Sequence, residues 1–443
     1  MLSRNLVFFA LREAIQQHPA LCVTLSSGKS NNDRKPHFLR LEEIDLTKVV
    51  SFVDKPATSS EEEEDRFLDG VISDQNSREF DTDGLLPLWR IVVLQQRNPE
   101  LPPAADLAFV WHHVIGDGLS GLVFHSTVLQ ALRSAPRSIA EETPVPDDEL
   151  AIVPTTTKPL FPALEDILTL SQSRMTKISH MFTSWFNAWF GARYEATKWT
   201  GAPHHRESLP TRTLIRNLSI PAASVNRLVS RCRSEKTSIT AFLQTLVGKV
   251  ITETFEARRV RCATAISVRR FFPASQKITD HNAMGLWVTG SCRNFSRRDL
   301  LGGRQKADGG FPWDEARRNR RRIVKELAKG DRDIAMGELR DIPDFEAHLM
   351  GRLGKRRENS YSITNIGMFD GDAGGGGGGE GEKEEEKEDD PQRRWRISRV
   401  AFSQSAHVNG SAVQFCIVST KAGDMVIVLN WQEGTVPAAD IDR

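Results

Sequence analysis

His112 and His113, followed by Asp117 and Gly118, give the segment Trp111-His-His-Val-Ile-Gly-Asp-Gly118, where the chain concentrates its possible chemistry. A neutral imidazole suits proton abstraction from a hydroxyl, because its unperturbed pKa lies at about 6.5. His113, nearer the glycine turn, is the candidate general base. Asp117 stands where a carboxylate accepts orphan backbone amides as a helix N-cap, and Gly118 lets a backbone or ligand approach closely. The plainer alternative is a hydrogen-bonded core histidine beside a simple cap. The four residues at this spacing, set on a turn, favour the catalytic reading.

The flanking residues predict the elements that would hold this turn. Asp106-Leu-Ala-Phe-Val-Trp111 is a short apolar, β-leaning run, and Leu119, Leu122, Val123, Val128, Leu129 and Leu132 recur at helical spacing. The pair of histidines therefore sits on a strand-to-helix turn.

At these residues the chain resembles the acyltransferases that share the chloramphenicol acetyltransferase fold, whose signature is His-His-x-x-x-Asp-Gly. Among them it is most similar to the fungal alcohol acetyltransferases. Pro87-Leu-Trp-Arg-Ile-Val-Val93 resembles the strand before the signature, and Ala265-Ile-Ser-Val-Arg-Arg270 a second-lobe strand ending in arginine. Tyr361-Ser-Ile-Thr-Asn-Ile-Gly367 is similar to the family's Ser-Asn-x-Gly segment, and Val400-Ala-Phe-Ser-Gln-Ser405 to a strand near its C-terminus.

The resemblance implies a two-lobed α/β fold with mixed sheets, flanking helices and a channel between the lobes. Residues 1–180 would be the N-terminal lobe, 181–210 the linker and 211–443 the C-terminal lobe, with a Gly/Glu-rich insertion at 370–392. The family's first strand has no counterpart before the helix predicted at Asn5 to Gln17. The implied reaction is acyl transfer from acetyl-CoA, or another acyl-CoA, to an alcohol, with no permanently bound cofactor, no covalent enzyme intermediate and no metal. His113 would be the base, and Asp117 would pair with Arg269 of the other lobe. Asn365, ahead of Ser362 or Thr364, would stabilise the oxyanion, while His112 and Gly118 complete the motif. Two other readings are a condensation-type enzyme using carrier-bound acyl groups and a non-catalytic binding or scaffold protein of the same fold.

Composition agrees with a globular enzyme. Lys+Arg 59 against Asp+Glu 58 leaves a net charge of +1, so no global field recruits nucleic acid or an anionic membrane. Arg317, Arg318, Arg320, Arg321 and Arg322 form a local basic cluster, read as a solvated helix face with a second reading as an attractor of CoA phosphate. Five scattered cysteines lack any Cys-x-x-Cys pairing, which points to a reducing cytoplasm. No segment approaches the length of a membrane span, and a signal peptide is not indicated; peripheral membrane contact stays open, and a monomer is expected.

Further elements follow from local pattern. Ala20 to Leu25, Thr213 to Ile220, Val260 to Val268, Met284 to Val288, Ile397 to Phe402, Ala412 to Thr420 and Met425 to Trp431 are predicted strands. Pro221 opens a helix through Cys232, and Ser238 caps the next. Residues 135–163 read as an irregular connection, and 164–200 as a helical pattern ending in an aromatic run at 181–190. The insertion carries no hydrophobe that could offset the entropy of ordering it.

Overall fold

Ser3 opens the first helix by accepting the Leu6 N–H at 3.3 Å, and the helix runs Arg4–Gln17 (α1). The computed structural model describes residues 2–26, 36–56, 60–81, 84–95, 104–136, 139, 150–168, 170, 192–205, 209–279, 281–302, 310–334, 342–370, 395–421 and 423–442. Val23–Leu25 (β1) pairs with Phe38–Arg40 (β2), and Glu43–Asp45 (β3) precedes Val50–Asp54 (β4). The acidic run Glu61-Glu-Glu-Glu-Asp65 then begins the helix Glu61–Ser77 (α2), with Ser60 as its N-cap. Trp89–Gln95 (β5) and Ala105–Trp111 (β6) complete a three-stranded sheet with β4, parallel between β4 and β5 and antiparallel between β5 and β6. The central strand β5 is buried on both faces, which is why Ile91-Val-Val-Leu94 is continuously apolar. Gly118–Ser134 (α3) packs against α1, with His18 Nε2 lying 2.8 Å from Thr127 Oγ1 between them.

The second half builds a six-stranded mixed sheet. Its members are Thr213–Ile220 (β8), Arg259–Ser267 (β9), Val288–Ser296 (β10), Asn359–Phe369 (β11), Ser411–Thr420 (β12) and Met425–Gln432 (β13), in the order β10-β9-β11-β12-β13-β8. β11 runs parallel to both its neighbours, and the other pairs are antiparallel. The Ser238 hydroxyl accepts the Ala241 N–H at 3.3 Å and starts the helix Ile239–Thr254, whose apolar face covers the sheet in a core with Val260, Tyr361 and Ile363. α2, although it comes early in the chain, lies on this second sheet: Ser73 donates to the Thr213 carbonyl at 2.5 Å, and Asp69 accepts the Asn217 N–H at 3.0 Å.

Several expectations change. Pro19–Cys22 forms a 3-10 turn, so the strand expected from Ala20 begins only at Val23. Within the expected irregular connection, Ile152–Pro154 (β7) pairs with β3. Met284 to Trp287 is not a strand: the Gly285 N–H and carbonyl and the Trp287 N–H turn toward Ser120 and Asp117, and β10 begins only at Val288. Ile397 to Phe402 carries no ladder pairing either, because Val400 and Phe402 face a cavity. Of the 164–200 pattern, helix is present at Leu164–Ile167 and Ala192–Ala196. The aromatic run at 181–190 and nearly all of the 370–392 insertion lie outside the described residues. Among the described residues no helix is long and apolar enough to cross a membrane.

Candidate active site

Strand β6 ends at Trp111, a single 3-10 turn spans His113–Ile115, and Asp117 caps α3. The Gly116 carbonyl organises the turn. It accepts the Trp111 indole N–H at 2.9 Å and lies 2.9 Å from His113 Nδ1. A carbonyl oxygen only accepts, so Nδ1 carries the ring's proton and Nε2 keeps its lone pair. The His113 side chain is exposed into the adjoining cavity. His112 is more constrained: its backbone N–H donates to Leu88 at 2.8 Å, its Nδ1 accepts the Val114 N–H at 3.2 Å, and its ring meets Phe80 edge-on. Both histidines line the cavity, and the 3-10 turn begins between them. Burial first, and His113 second, push the His112 ring below its usual pKa, which keeps it neutral.

Asp117, at the edge of the cavity wall, is 1% exposed. Its two oxygens meet Arg269, itself 3% exposed, at 2.8 and 2.9 Å in a bidentate pair. The same carboxylate accepts the Ser120 N–H at 3.1 Å, the Ser120 hydroxyl at 3.0 Å and the Trp287 N–H at 3.2 Å. Gly285 closes the other half of the junction, its carbonyl accepting the Asp117 N–H at 3.1 Å and its N–H donating to Ser120 Oγ at 3.1 Å. The indole of Trp287 lies under the guanidinium, 4.9 Å from Arg269 Cζ. A helix N-terminus from one half of the chain is thus clamped to a loop of the other. Ser120, Gly285 and Trp287 were not anticipated; the only available signal was the Asp-x-x-Ser spacing of a capping box.

The cavity measures about 1060 Å³ and is lined from both halves of the chain. Its walls mix apolar side chains such as Leu122, Ile366 and Phe402 with Gln75, Asn76, Ser403 and Gln404. At the helix start, a Cβ added to Gly118 would lie 2.8 Å from Ile366 Cγ2 and 3.0 Å from Phe402 Cζ. The motif glycine is required by this close approach.

The structure brings His112, His113, Asp117 and Gly118 to the cavity wall, with Arg269 behind Asp117. It does not bring Asn365 there. The Asn365 amide donates to Thr240 Oγ1 at 3.2 Å and accepts the Gly367 N–H at 2.9 Å, at a bulge where Gly367 has φ +88°; the neighbouring Ile366 is the residue on the wall. Ser362 and Thr364 are likewise absent from the lining. The basic cluster lies on the helix Trp313–Leu327, where Arg317 pairs with Glu235 and Asp314 at 2.6 Å and Arg318 with Glu315 at 2.7 Å. None of its arginines lines the cavity.

Solved structures share this architecture. The chain is similar to the trichothecene 15-O-acetyltransferase TRI3 of Fusarium sporotrichioides, with a TM-score of 0.61 at 12% identity, covering 99% of this chain and 83% of that one. It is also similar to the first condensation domain of the calcium-dependent antibiotic synthetase, with a TM-score of 0.56 at 13% identity over 100% and 85% of the two chains. The fold is therefore the two-lobed α/β fold of condensation domains and acetyltransferases. Within that class, the chain belongs to the alcohol acetyltransferase family, whose profile matches residues 1–438, and it is an acyltransferase. Its relatives include a probable alcohol acetyltransferase, crmB, of Aspergillus fumigatus, 28% identical over 98% of this chain and 87% of that protein. Another is a probable alcohol acetyltransferase, FCK4, of Fusarium pseudograminearum, 23% identical over 96% and 81%.

Proposed function

We propose that this alcohol acetyltransferase moves an acyl group, most naturally acetyl, from acyl-CoA to an alcohol, with His113 as general base. One observation carries the reading: the Gly116 carbonyl holds the His113 Nδ1 proton, and the other ring nitrogen is left basic on an inter-lobe cavity. An acceptor hydroxyl bonded to Nε2 loses its proton as its oxygen attacks the thioester carbonyl. The tetrahedral intermediate collapses with loss of CoA thiolate, which takes the proton back from His113. The chain itself supplies no nucleophile to this sequence.

Asp117 and Arg269 act as positioning residues. Their pairing fixes the start of α3, and through it the turn that aims His113. Asn365 shapes the strand end in this account. The carrier-dependent alternative rests on the fold likeness of the condensation domains alone. A cavity of about 1060 Å³ holds more than a short aliphatic alcohol, which supports ester formation on acceptors of secondary metabolism. Five cysteines, all free, support residence in the reducing cytoplasm.

The test is incubation of the whole chain with acetyl-CoA and a panel of alcohols, including 3-methylbutan-1-ol and 2-phenylethanol, with thiol release and ester formation both followed. Ester formed in step with free CoA is the expected result. Absence of both across the panel counts against the proposal.

A further inference from the structure

Five of the chain's eleven histidines, at 112, 113, 125, 348 and 407, line the cavity between the two halves of the chain. His112 is tied to its own turn and His113 is the base. Of the others, His407 lines the same cavity wall space as His113 but is contributed by the opposite half of the chain. It comes from the extended segment before β12, in the second half of the chain.

His407 is held firmly and left free at its tip. Its backbone carbonyl accepts from Arg357, a buried guanidinium that also donates to Gln432 Oε1 at 2.6 Å, Thr435 Oγ1 at 2.8 Å and the Ala202 carbonyl at 3.3 Å. Gly410 keeps the ring's side clear, since a Cβ there would lie 3.1 Å from His407 Nδ1. Among the described residues the ring itself has no hydrogen-bond partner, and it is exposed to the cavity. The fixed backbone sets where the ring enters the cavity, and the ring's N–H is left uncommitted for a ligand.

The chemistry leaves such a donor's place open. Negative charge gathers on the thioester oxygen during attack, and Asn365 does not line the cavity. Meanwhile His113 becomes a cation as it takes the alcohol's proton. A second cation beside it would oppose that step, whereas a neutral imidazole offers an N–H at no such cost. Desolvation by the surrounding protein first, then the neighbouring charges of His113 and Arg357, lower the His407 pKa and favour the neutral ring.

We infer that His407 is a second catalytic histidine, donating its N–H to the thioester carbonyl oxygen while His113 removes the alcohol proton. The inference rests on the acyl-transfer reading above. The O–H bond breaks with its proton moving to His113 Nε2, the new C–O bond forms, and the carbonyl electron pair shifts onto the oxygen held by His407. On collapse the C=O re-forms, the C–S pair leaves on sulfur, and sulfur takes the proton from His113. His407 keeps its proton throughout.

The test compares wild type with His407→Ala, His407→Gln, His407→Phe and His113→Ala in thiol release from acetyl-CoA with 2-phenylethanol and 3-methylbutan-1-ol. His407→Ala should lower kcat by about 100- to 1000-fold, as loss of one oxyanion donor does, with the KM for acetyl-CoA changed by less than about threefold. His407→Gln, which keeps an N–H donor, should recover at least about tenfold over Ala, and Phe should not. Circular dichroism and melting temperature establish that each variant is folded; should Ala fail to fold, the Gln and Phe pair decides alone. A His407→Ala kcat within about threefold of wild type, or equal rates for Gln and Phe, overturns the inference, while a dead His113→Ala beside it leaves the general-base reading standing. If wild type releases no thiol with either alcohol, both fall.

Discussion

Arg269 grips both carboxylate oxygens of Asp117, at 2.8 and 2.9 Å, across 152 residues of sequence. Both groups are out of water, so removing either strands a buried charge at a cost of about 3 to 5 kcal/mol. Asp117→Asn separates this role from capping, because asparagine caps a helix about as well as aspartate. The substitution should destabilise the protein and reduce turnover together. A double-mutant cycle with Arg269→Gln, read by urea unfolding, should show coupling within about 0.5 to 3 kcal/mol. Additive losses would mean that the pair does not hold the lobes' junction.

Gly118→Ala should be damaging despite alanine's better helix propensity. Replacing a helical glycine gains about 1 kcal/mol at most, whereas forcing a methyl into a filled site costs about 1 to 3 kcal/mol. The added Cβ would sit 2.8 Å from Ile366 Cγ2, so Ile366→Ala in the same chain should restore much of the loss. Melting temperatures of the two single variants and the double variant check this; no rescue would place the strain elsewhere.

Stability should fall as the medium is acidified from about pH 6.5 toward 4. Burial lowers His18 and His125 from 6.5 to about 4, so over that window the unfolded chain binds protons that the folded one refuses. Their contribution is complete above 6.5 and is lost on the way down. Asp69 works the other way: burial raises it to about 6, so folding takes up a proton there as pH falls from 6 to 3.8. Two histidines outweigh one carboxyl, and the net slope should be toward acid lability. His18→Gln should flatten it, and Asp69→Asn should steepen it, in melting temperature against pH.

Thiol reagents should find one ready cysteine in the native chain. Cys292 is exposed, whereas Cys22, Cys232, Cys262 and Cys416 are buried, and burial pushes Cys262 and Cys416 to about 12 and Cys232 to about 11. Rapid labelling of a single thiol that disappears in Cys292→Ser, with all five reacting in denaturant, is the expected pattern. It also sets the background for any assay that follows CoA release. Fast labelling of a second site would show that one of the buried cysteines is reachable in the native fold.

Much of the site was legible because its residues lie next to one another in the chain. The strand, the turn and the helix around His113 follow from a local change of period, and the Asp117–Arg269 pairing from the family resemblance. Tertiary partners explain what was missed. Met284 to Trp287 has a strand's apolar composition, yet the Gly285 N–H and carbonyl and the Trp287 N–H serve Ser120 and Asp117. Val400 and Phe402 look like sheet residues because a cavity wall needs apolar side chains as much as a sheet does. Asn365 stands in the expected segment, but the bulge at Gly367 turns its amide to Thr240. His407 had no motif around it at all; only folding brings it to the wall shared with His113.

The central claim is that the free ring nitrogen of His113 takes the acceptor's proton. The most direct measurement is the rate of CoA release from acetyl-CoA in the presence of 2-phenylethanol, for wild type and for His113→Ala shown by circular dichroism to be folded. Loss of a general base should reduce kcat by about 100- to 10,000-fold with the melting temperature nearly unchanged, since the ring faces the cavity and, among the described residues, hydrogen-bonds to the Gly116 carbonyl alone. A folded His113→Ala protein that keeps more than about a tenth of the wild-type rate would contradict the account.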